Sequence, residues 1–170
     1  MNATDPDRAA LEAALIGHGE YELFACDPAL ADTAAFCAAY GFALGDSANT
    51  IVVIGKSDPP VYAACVVLAT HRLDVNRVVK QRLGTRKASF ASQDETRALT
   101  GMAIGGVTAF GLPDDLSLWI DGAVMERERI VLGGGSRSWK VIAPPSILLT
   151  LPNVEVVEGL AAIAPPRPPD

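Results

Sequence analysis

The stretch from Thr100 to Gly111 reads T-G-M-A-I-G-G-V-T-A-F-G, with four glycines among small and apolar residues and no charged residue. Glycine permits backbone conformations and close backbone contacts that a side chain prevents. The segment therefore either makes tight turns between secondary-structure elements or leaves backbone amides free for a phosphate or a developing oxyanion. Composition alone narrowly favours the tight turns.

A second glycine-rich segment lies further along the chain. Gly133, Gly134 and Gly135 are followed by Ser136 and Arg137, which carry a hydroxyl and a charge. Neither segment is a nucleotide-binding motif, because no G-K-[ST] follows the three glycines and the first stretch does not fit G-x-G-x-x-G. The two segments are distant in sequence, but a fold could bring them together.

The composition predicts one soluble domain. The chain has 170 residues, of which 49% are hydrophobic, and a net charge of −6, which argues against a general nucleic-acid coat protein. The first residues do not form a signal peptide, and no apolar run reaches the roughly 18 residues of a membrane helix. We therefore expect a cytoplasmic protein without a membrane segment. The three cysteines, Cys26, Cys37 and Cys65, suggest neither a disulfide framework nor a zinc site.

The order of predicted elements indicates a single α+β domain. Two strands, at 50–54 and 61–69, flank a turn and predict a hairpin. Asp74 is expected to begin a helix that Gly84 ends, and Ser92 with Glu95 forms a capping-box pattern for another helix. Further strands are predicted at 116–121, 130–132 and 154–157. Strands and helices do not alternate strictly, which excludes a doubly wound parallel sheet.

Residues 71–90 are basic in an otherwise acidic chain. They carry one acidic residue, Asp74, and six basic ones: Arg72, Arg77, Lys80, Arg82, Arg86 and Lys87. Such a segment is either the solvated face of a helix or a contact surface for a polyanion, and charge alone favours the solvated face.

Four segments resemble the YbaK/EbsC family, which comprises free-standing aminoacyl-tRNA deacylases and the editing domain inserted in bacterial prolyl-tRNA synthetases. The glycine stretch resembles the family signature T-G-x-x-x-G-G-[IV]-[ST]-P-x-G, with Ala109 in place of the proline. Residues 47–54 resemble its first long strand, 69–91 its L-D-x-x-K region, and 130–137 its G-G-x-R loop. The resemblance extends over roughly residues 20–160, nearly the whole chain.

The resemblance implies a fold and an activity. The fold is a mixed, partly barrel-like β-sheet with helices packed around it, in one editing domain over residues 1–160, and the proline-rich residues 161–170 are expected to be a disordered tail. The activity is hydrolysis of the ester between a wrong amino acid and the 3′ end of tRNA, without a metal or other cofactor. Gly105 would polarise the ester carbonyl through its backbone amide. The residues implied to bind substrate are Thr50, Gly101, Gly106, Gly133, Gly134, Gly135, Ser136 and Arg137.

One position departs from the family pattern. Family deacylases carry a lysine just before the residue that corresponds to Thr50, and this chain has Asn49 there. An asparagine can orient a water or a hydroxyl, so Asn49 is a candidate catalytic residue, but it offers no charge for a phosphate. Two alternatives therefore remain open: a binding module without turnover, and a hydrolase of another small ester or acylated nucleotide.

The resemblance gives the basic segment a function. A trans-acting editor must hold a tRNA acceptor stem, and Arg77 and Lys80 lie on one face of the predicted helix. We expect them to make a weak contact with tRNA that depends strongly on salt, since few phosphates would be neutralised. An aminoacyl-tRNA synthetase is a further possible partner.

Overall fold

The computed structural model describes residues 5–165. Its helices lie on the outer faces of its β-sheets. Two short 3₁₀ segments, Pro28–Leu30 and Leu44–Asp46, flank the second helix, and a third, Pro145–Thr150, follows the last long strand. A turn of π-helix, Val75–Val79, leads into the third helix. The α-helices are α1 Pro6–Leu15, α2 Thr33–Tyr40, α3 Lys80–Leu83, α4 Gln93–Thr100 and α5 Gly122–Met125.

The strands of the described residues form a five-stranded, a three-stranded and a two-stranded sheet. The strands are β1 Glu22–Ala25, β2 Ala48–Gly55, β3 Val61–Leu68, β4 His71–Leu73, β5 Ala88–Phe90, β6 Ser117–Asp121, β7 Ile130–Gly133, β8 Trp139–Ala143, β9 Val154–Val157 and β10 Ala161–Ile163. The largest sheet has the order β5-β2-β3-β6-β9, with antiparallel pairs among β5, β2 and β3 and parallel pairs from β3 to β9. The three-stranded sheet, β1-β8-β7, is antiparallel.

Alternation along the strands builds three apolar layers. Val66 on β3 and Val141 on β8 meet in the main core between the two larger sheets. The next residue along β3, Val67, points to the opposite face and packs with Val79 of the π-helical turn. On the outer face of the three-stranded sheet, Ile142 packs with Phe36 of α2. The basic segment and α2 therefore cover opposite sides of the domain.

The prediction of a single mixed α+β domain is confirmed, and so are several local elements. β2 and β3 pair antiparallel over their full lengths, as the hairpin prediction required. Asp74 accepts a hydrogen bond from the Arg77 N–H, and Gly84 ends α3 in the left-handed conformation. Ser92 and Glu95 form the capping box at the start of α4.

The expected disordered tail needs a correction at its start. Ala161–Ile163 form strand β10, which pairs antiparallel with β4, and the Ala161 N–H donates to Asp121 Oδ1 at 3.1 Å. The proline run begins only at Pro165, so these three residues keep the backbone N–H groups that a strand needs. The rest of that prediction, residues 166–170, lies outside the described residues.

Candidate functional site

A cavity of about 380 Å³ opens beside β2, within the size range of small-molecule sites. Its walls come from segments that are distant in sequence: residues 31–33 before and within α2, the first half of β2, the loop around Gly105, and β7 with β8. β5 pairs only with the second half of β2, so the first half is left to line the cavity. The fold thus creates a cleft where a sheet edge meets a glycine-rich loop.

The two glycine-rich segments meet beside this cavity. The Gly135 N–H donates to the Gly106 carbonyl at 2.6 Å. A Cβ on Gly106 would lie 2.7 Å from the carbonyl carbon of Ser136, and a Cβ on Gly133 would overlap the Val107 carbonyl oxygen. Glycine is needed at these positions because another backbone segment lies directly against them. The prediction of tight turns did not include this contact between the two segments.

Gly105 borders the cavity itself. It has a φ of 96°, in the left-handed region that favours glycine. Within residues 5–165 its N–H donates no hydrogen bond, whereas the N–H of Gly106 donates to the Ala103 carbonyl at 3.0 Å. The Gly105 amide is therefore available to an oxygen of a bound molecule.

Arg137 holds the loop before α2 rather than lining the cavity. Its Nε donates to the Pro28 carbonyl at 3.0 Å, and its Nη1 lies 3.3 Å from Asp32 Oδ1. A Cβ on Gly105 would overlap Nη1 of this guanidinium. Arg137 thus ties the second glycine-rich segment to residues 28–32, which form one wall.

Asn49 and Thr50 lie side by side on β2 at the cavity wall. Thr33 Oγ1, in the first turn of α2, donates to Asn49 Oδ1 at 2.7 Å. This bond leaves the two N–H donors of the Asn49 amide for other partners. Thr50 is 7% exposed, and its hydroxyl has no hydrogen-bond partner among the described residues. An unpaired buried hydroxyl costs stability, so it is a candidate ligand contact.

Lys140 also lines the cavity, and sequence reasoning did not assign it a role there. It is 6% exposed, and its Nζ donates to the Ala31 carbonyl at 2.7 Å. The ammonium lies 5.3 Å from the centre of the Phe36 ring, within reach of a cation–π interaction. Burial lowers the pKa of Lys140 from its ordinary value, because the charged form loses hydration.

Two apolar side chains stand at the mouth of the cavity. Phe90, the last residue of β5, is 53% exposed, and Ile104 is 48% exposed. Exposed aromatic rings stack on nucleic-acid bases. Phe90 lies at the end of the basic segment and Ile104 inside the glycine stretch, but neither position shows in the sequence that it borders a cavity.

Several predicted site residues do not line the cavity. Gly101 ends α4 in the left-handed conformation, which explains it as a helix cap. Gly134 lies against the carbonyl of Trp139, and Gly135 and Ser136 support the Gly106 backbone. Of the predicted catalytic and substrate-binding residues, those at the cavity wall are Asn49, Thr50, Gly105 and Gly133.

None of the six basic side chains of the basic segment lines the cavity, and part of their charge is paired. Arg77 forms an ion pair of 3.1 Å with Asp74 in its own turn. Arg82 pairs with Glu155 and lies over the Trp119 ring, with its guanidinium 4.9 Å from the ring centre. Lys80 makes no ion pair within residues 5–165.

The buried thiols do not resemble activated nucleophiles. Burial raises the pKa of Cys65 to about 12 and raises the pKa of Cys26 as well. Cys37 Sγ lies 3.2 Å from Ser47 Oγ at the base of the cavity. The polar side chains that line the cavity are those of Asp32, Thr33, Ser47, Asn49, Thr50, Thr96 and Lys140.

The family model described as an aminoacyl-tRNA editing domain matches residues 27–149. The chain belongs to this family. The resemblance to YbaK/EbsC proteins is thereby confirmed, and every wall of the cavity falls within the matched part of the editing domain.

Solved structures share the fold of this editing domain. One is described as "a putative trans-editing enzyme for prolyl tRNA synthetase", with a TM-score of 0.78, 23% sequence identity, and coverage of 92% of this chain and 98% of that one. Another, described as a hypothetical protein, has a TM-score of 0.77 and 21% identity, and covers 91% of this chain and 98% of its own. At these identities the likeness shows the fold.

Residues 5–165 contain neither a candidate membrane helix nor a candidate metal cluster. No helix there is long and apolar enough to cross a lipid bilayer. No three side chains of the metal-binding types His, Cys, Asp and Glu are grouped so that they could hold an ion.

Proposed function

We propose that this editing domain is a trans-acting aminoacyl-tRNA deacylase, which hydrolyses the ester of mischarged tRNA in the cytoplasm. The observation that carries the proposal is the meeting of β2 and the Gly105 loop at one cavity. That cavity has the size of a small ligand, and it offers a free backbone amide on one wall and an asparagine on another. An ester carbonyl needs such a donor when its oxygen becomes negative.

The reaction can be written for these groups. The Gly105 N–H donates to the ester carbonyl oxygen, while a water attacks the carbonyl carbon; attack by the adjacent ribose hydroxyl would only move the acyl group between the 2′ and 3′ oxygens, and water would still have to cleave the resulting ester. With water as the nucleophile, the bond between that carbon and the ribose oxygen breaks, the carbon keeps the hydroxyl, and the ribose oxygen takes the proton. The products are a free amino acid and a tRNA with a free 3′ end. The Asn49 amide is suited to orienting the attacking water or hydroxyl, because its N–H groups are not used by Thr33.

The tRNA itself would be held by the basic segment as well as by the cavity. Lys80, with no ion pair of its own in the described structure, is the first candidate for a phosphate of the acceptor stem, and Arg77 the second. A synthetase that releases the mischarged tRNA is a further candidate partner.

A binding module without turnover is the second candidate, and Asn49 is the observation that favours it. Its side chain brings no positive charge to the strand position where family deacylases carry lysine. The variant Asn49→Lys distinguishes the deacylase from the binding module. Activity gained by an inert protein would support the module, whereas activity lost from a working enzyme would show that asparagine has its own role.

The test is a deacylation assay with purified protein and tRNAs charged with alanine, cysteine, serine, threonine, proline or aspartate. Hydrolysis of one or two of these above the spontaneous rate supports the deacylase. No hydrolysis of any would contradict it and favour the module. An aminoacyl-adenosine cleaved as fast as whole tRNA would point instead to an esterase of small acylated nucleotides.

A further inference from the structure

Lys140 is an anomaly in the charge distribution of the domain. Among residues 5–165 it is the only buried lysine or arginine, with 6% of its surface exposed. Removing an ammonium from water is costly unless an opposite charge or several hydrogen bonds replace the hydration. Buried charged groups that border a cleft are candidates for ligand contact, because such groups cluster at functional sites.

The protein does not neutralise this charge. Lys140 makes no ion pair in the described structure, and its one hydrogen bond goes to the neutral Ala31 carbonyl. The carboxylate beside it, Asp32, is paired with Arg137, and the Asp32 side chain is 74% exposed. An ammonium has three N–H donors, so two remain for another partner.

The cavity is the open space that Lys140 borders. Lys140 lines it together with Thr50, whose buried hydroxyl also has no partner. Asn49, the preceding residue on β2, also lines the cavity and has N–H donors that Thr33 does not use. The lining thus combines one unneutralised positive charge with several neutral donors, and its only acid is the paired Asp32.

We propose that Lys140 is a ligand-binding residue, whose ammonium binds an anionic oxygen group of the substrate. The proposal rests on the proposed function, which supplies an aminoacyl-adenosine end as the ligand. Two parts of that ligand carry such oxygens: the carboxylate of an acidic amino acid side chain, and the 5′-phosphate of the terminal adenosine. In the first case Lys140 determines which amino acid is removed, and in the second it anchors the nucleotide.

The experiment uses ligands that cannot be hydrolysed, so that binding is measured apart from turnover. Adenosine carrying an amide-linked amino acid at its 3′ position is prepared with alanine or with aspartate, each with and without a 5′-phosphate. Dissociation constants of the four compounds are measured by calorimetry for the wild type, Lys140→Met and Lys140→Arg. Lys56→Met, at an exposed lysine that does not line the cavity, is the matched control.

We expect one anionic group to tighten binding to the wild type by about ten- to a hundredfold, as a hydrogen bond to a charged group does. Lys140→Met should lose this gain while it binds the uncharged alanine compound as the wild type does, and Lys140→Arg should keep part of it. Whichever group gives the gain identifies the source of the anion.

Equal affinities for all four compounds, or a gain that survives in Lys140→Met, would overturn the role of Lys140 and leave the deacylase proposal standing. If none of the four binds the wild type, both proposals fail. Thermal unfolding of each variant shows whether a loss of binding comes from a loss of fold.

Discussion

The hydroxyl of Thr33 donates to the side-chain oxygen of Asn49 at 2.7 Å, and this bond fixes the orientation of the amide group at the cavity wall. The donor comes from the first turn of α2 and the acceptor from β2, so one hydrogen bond joins two walls of the site. Its consequence is that the Asn49 nitrogen, rather than its oxygen, is left for a ligand.

Asn49→Asp should therefore remove activity without unfolding the domain. Aspartate keeps the oxygen that accepts from Thr33, but it replaces the two N–H donors by a charged acceptor. We expect kcat/KM for deacylation to fall by about tenfold or more, and the urea midpoint to change little. Thr33→Val is the companion variant, since it removes only the orienting bond and should cost less. An Asn49→Asp protein with full activity would exclude a donor role for this residue.

Gly105→Ala should impair turnover more than its effect on stability explains. The positive φ of Gly105 makes any Cβ unfavourable by about 1 kcal/mol, and the new methyl group would also displace the Arg137 guanidinium. Gly159→Ala is the control: it has a φ of 74° and open space around the added Cβ. The proposal predicts that the two variants have comparable free energies of unfolding and that only Gly105→Ala loses deacylation activity. Equal deacylation activity in the two variants would contradict it.

Thr50→Val should make the protein more stable and less active. Valine has nearly the same shape as threonine and suits a strand, and it removes a buried hydroxyl that has no partner in the described structure. The free energy of unfolding should rise by about 1 kcal/mol in denaturant titrations, while KM or kcat becomes worse. A gain in stability with unchanged kinetics would mean that this hydroxyl does not touch the substrate.

Lys80→Ala should weaken binding of whole tRNA and leave an aminoacyl-adenosine unaffected. Each phosphate contact that is lost should reduce the slope of log affinity against log salt by about 1. Filter binding over a series of salt concentrations measures this slope. Arg77→Ala should have a smaller effect, because the Arg77 guanidinium is already paired with Asp74 at 3.1 Å. An unchanged slope in Lys80→Ala would place the tRNA contact elsewhere.

Lys140 should make stability depend on pH in the alkaline range. Its pKa is lowered in the folded protein, so the cost of burying the ammonium is fully present below that folded pKa. Between the folded pKa and the ordinary value of 10.5, the unfolded chain holds more protons, and stability rises with pH. The wild type should therefore gain stability relative to Lys140→Met in urea titrations as the pH rises from the lowered pKa of Lys140 toward 10.5. A constant difference across this range would contradict a perturbed ammonium.

Local features of the fold could be predicted from sequence because their causes are local. The Ser92 capping box and the glycine that ends α3 depend on residues a few positions apart. The pairing of β1 with β8, by contrast, joins Glu22 to Ile142, and no local pattern specifies it. Strand β10 was missed for the same reason, since the unpaired edge of β4 that receives it is a property of the folded chain.

The site could be predicted only in part. The glycine-rich segments identified two of its walls, but the residues against which they pack were beyond sequence reasoning. Lys140 reads in the sequence as an ordinary strand residue next to Trp139. Only the packing of α2 against the three-stranded sheet buries its ammonium beside Phe36 at the cavity wall.

The cavity walls come from six separated segments of the chain, so a ligand can bind only when the whole domain is folded. Binding and global folding are then a single equilibrium: any molecule that fills the cleft must shift the melting temperature upward in proportion to the logarithm of its concentration over Kd, once it is in excess. A dye-based melting screen of nucleosides, aminoacyl analogues and their phosphates can therefore find the physiological ligand before any turnover is detected.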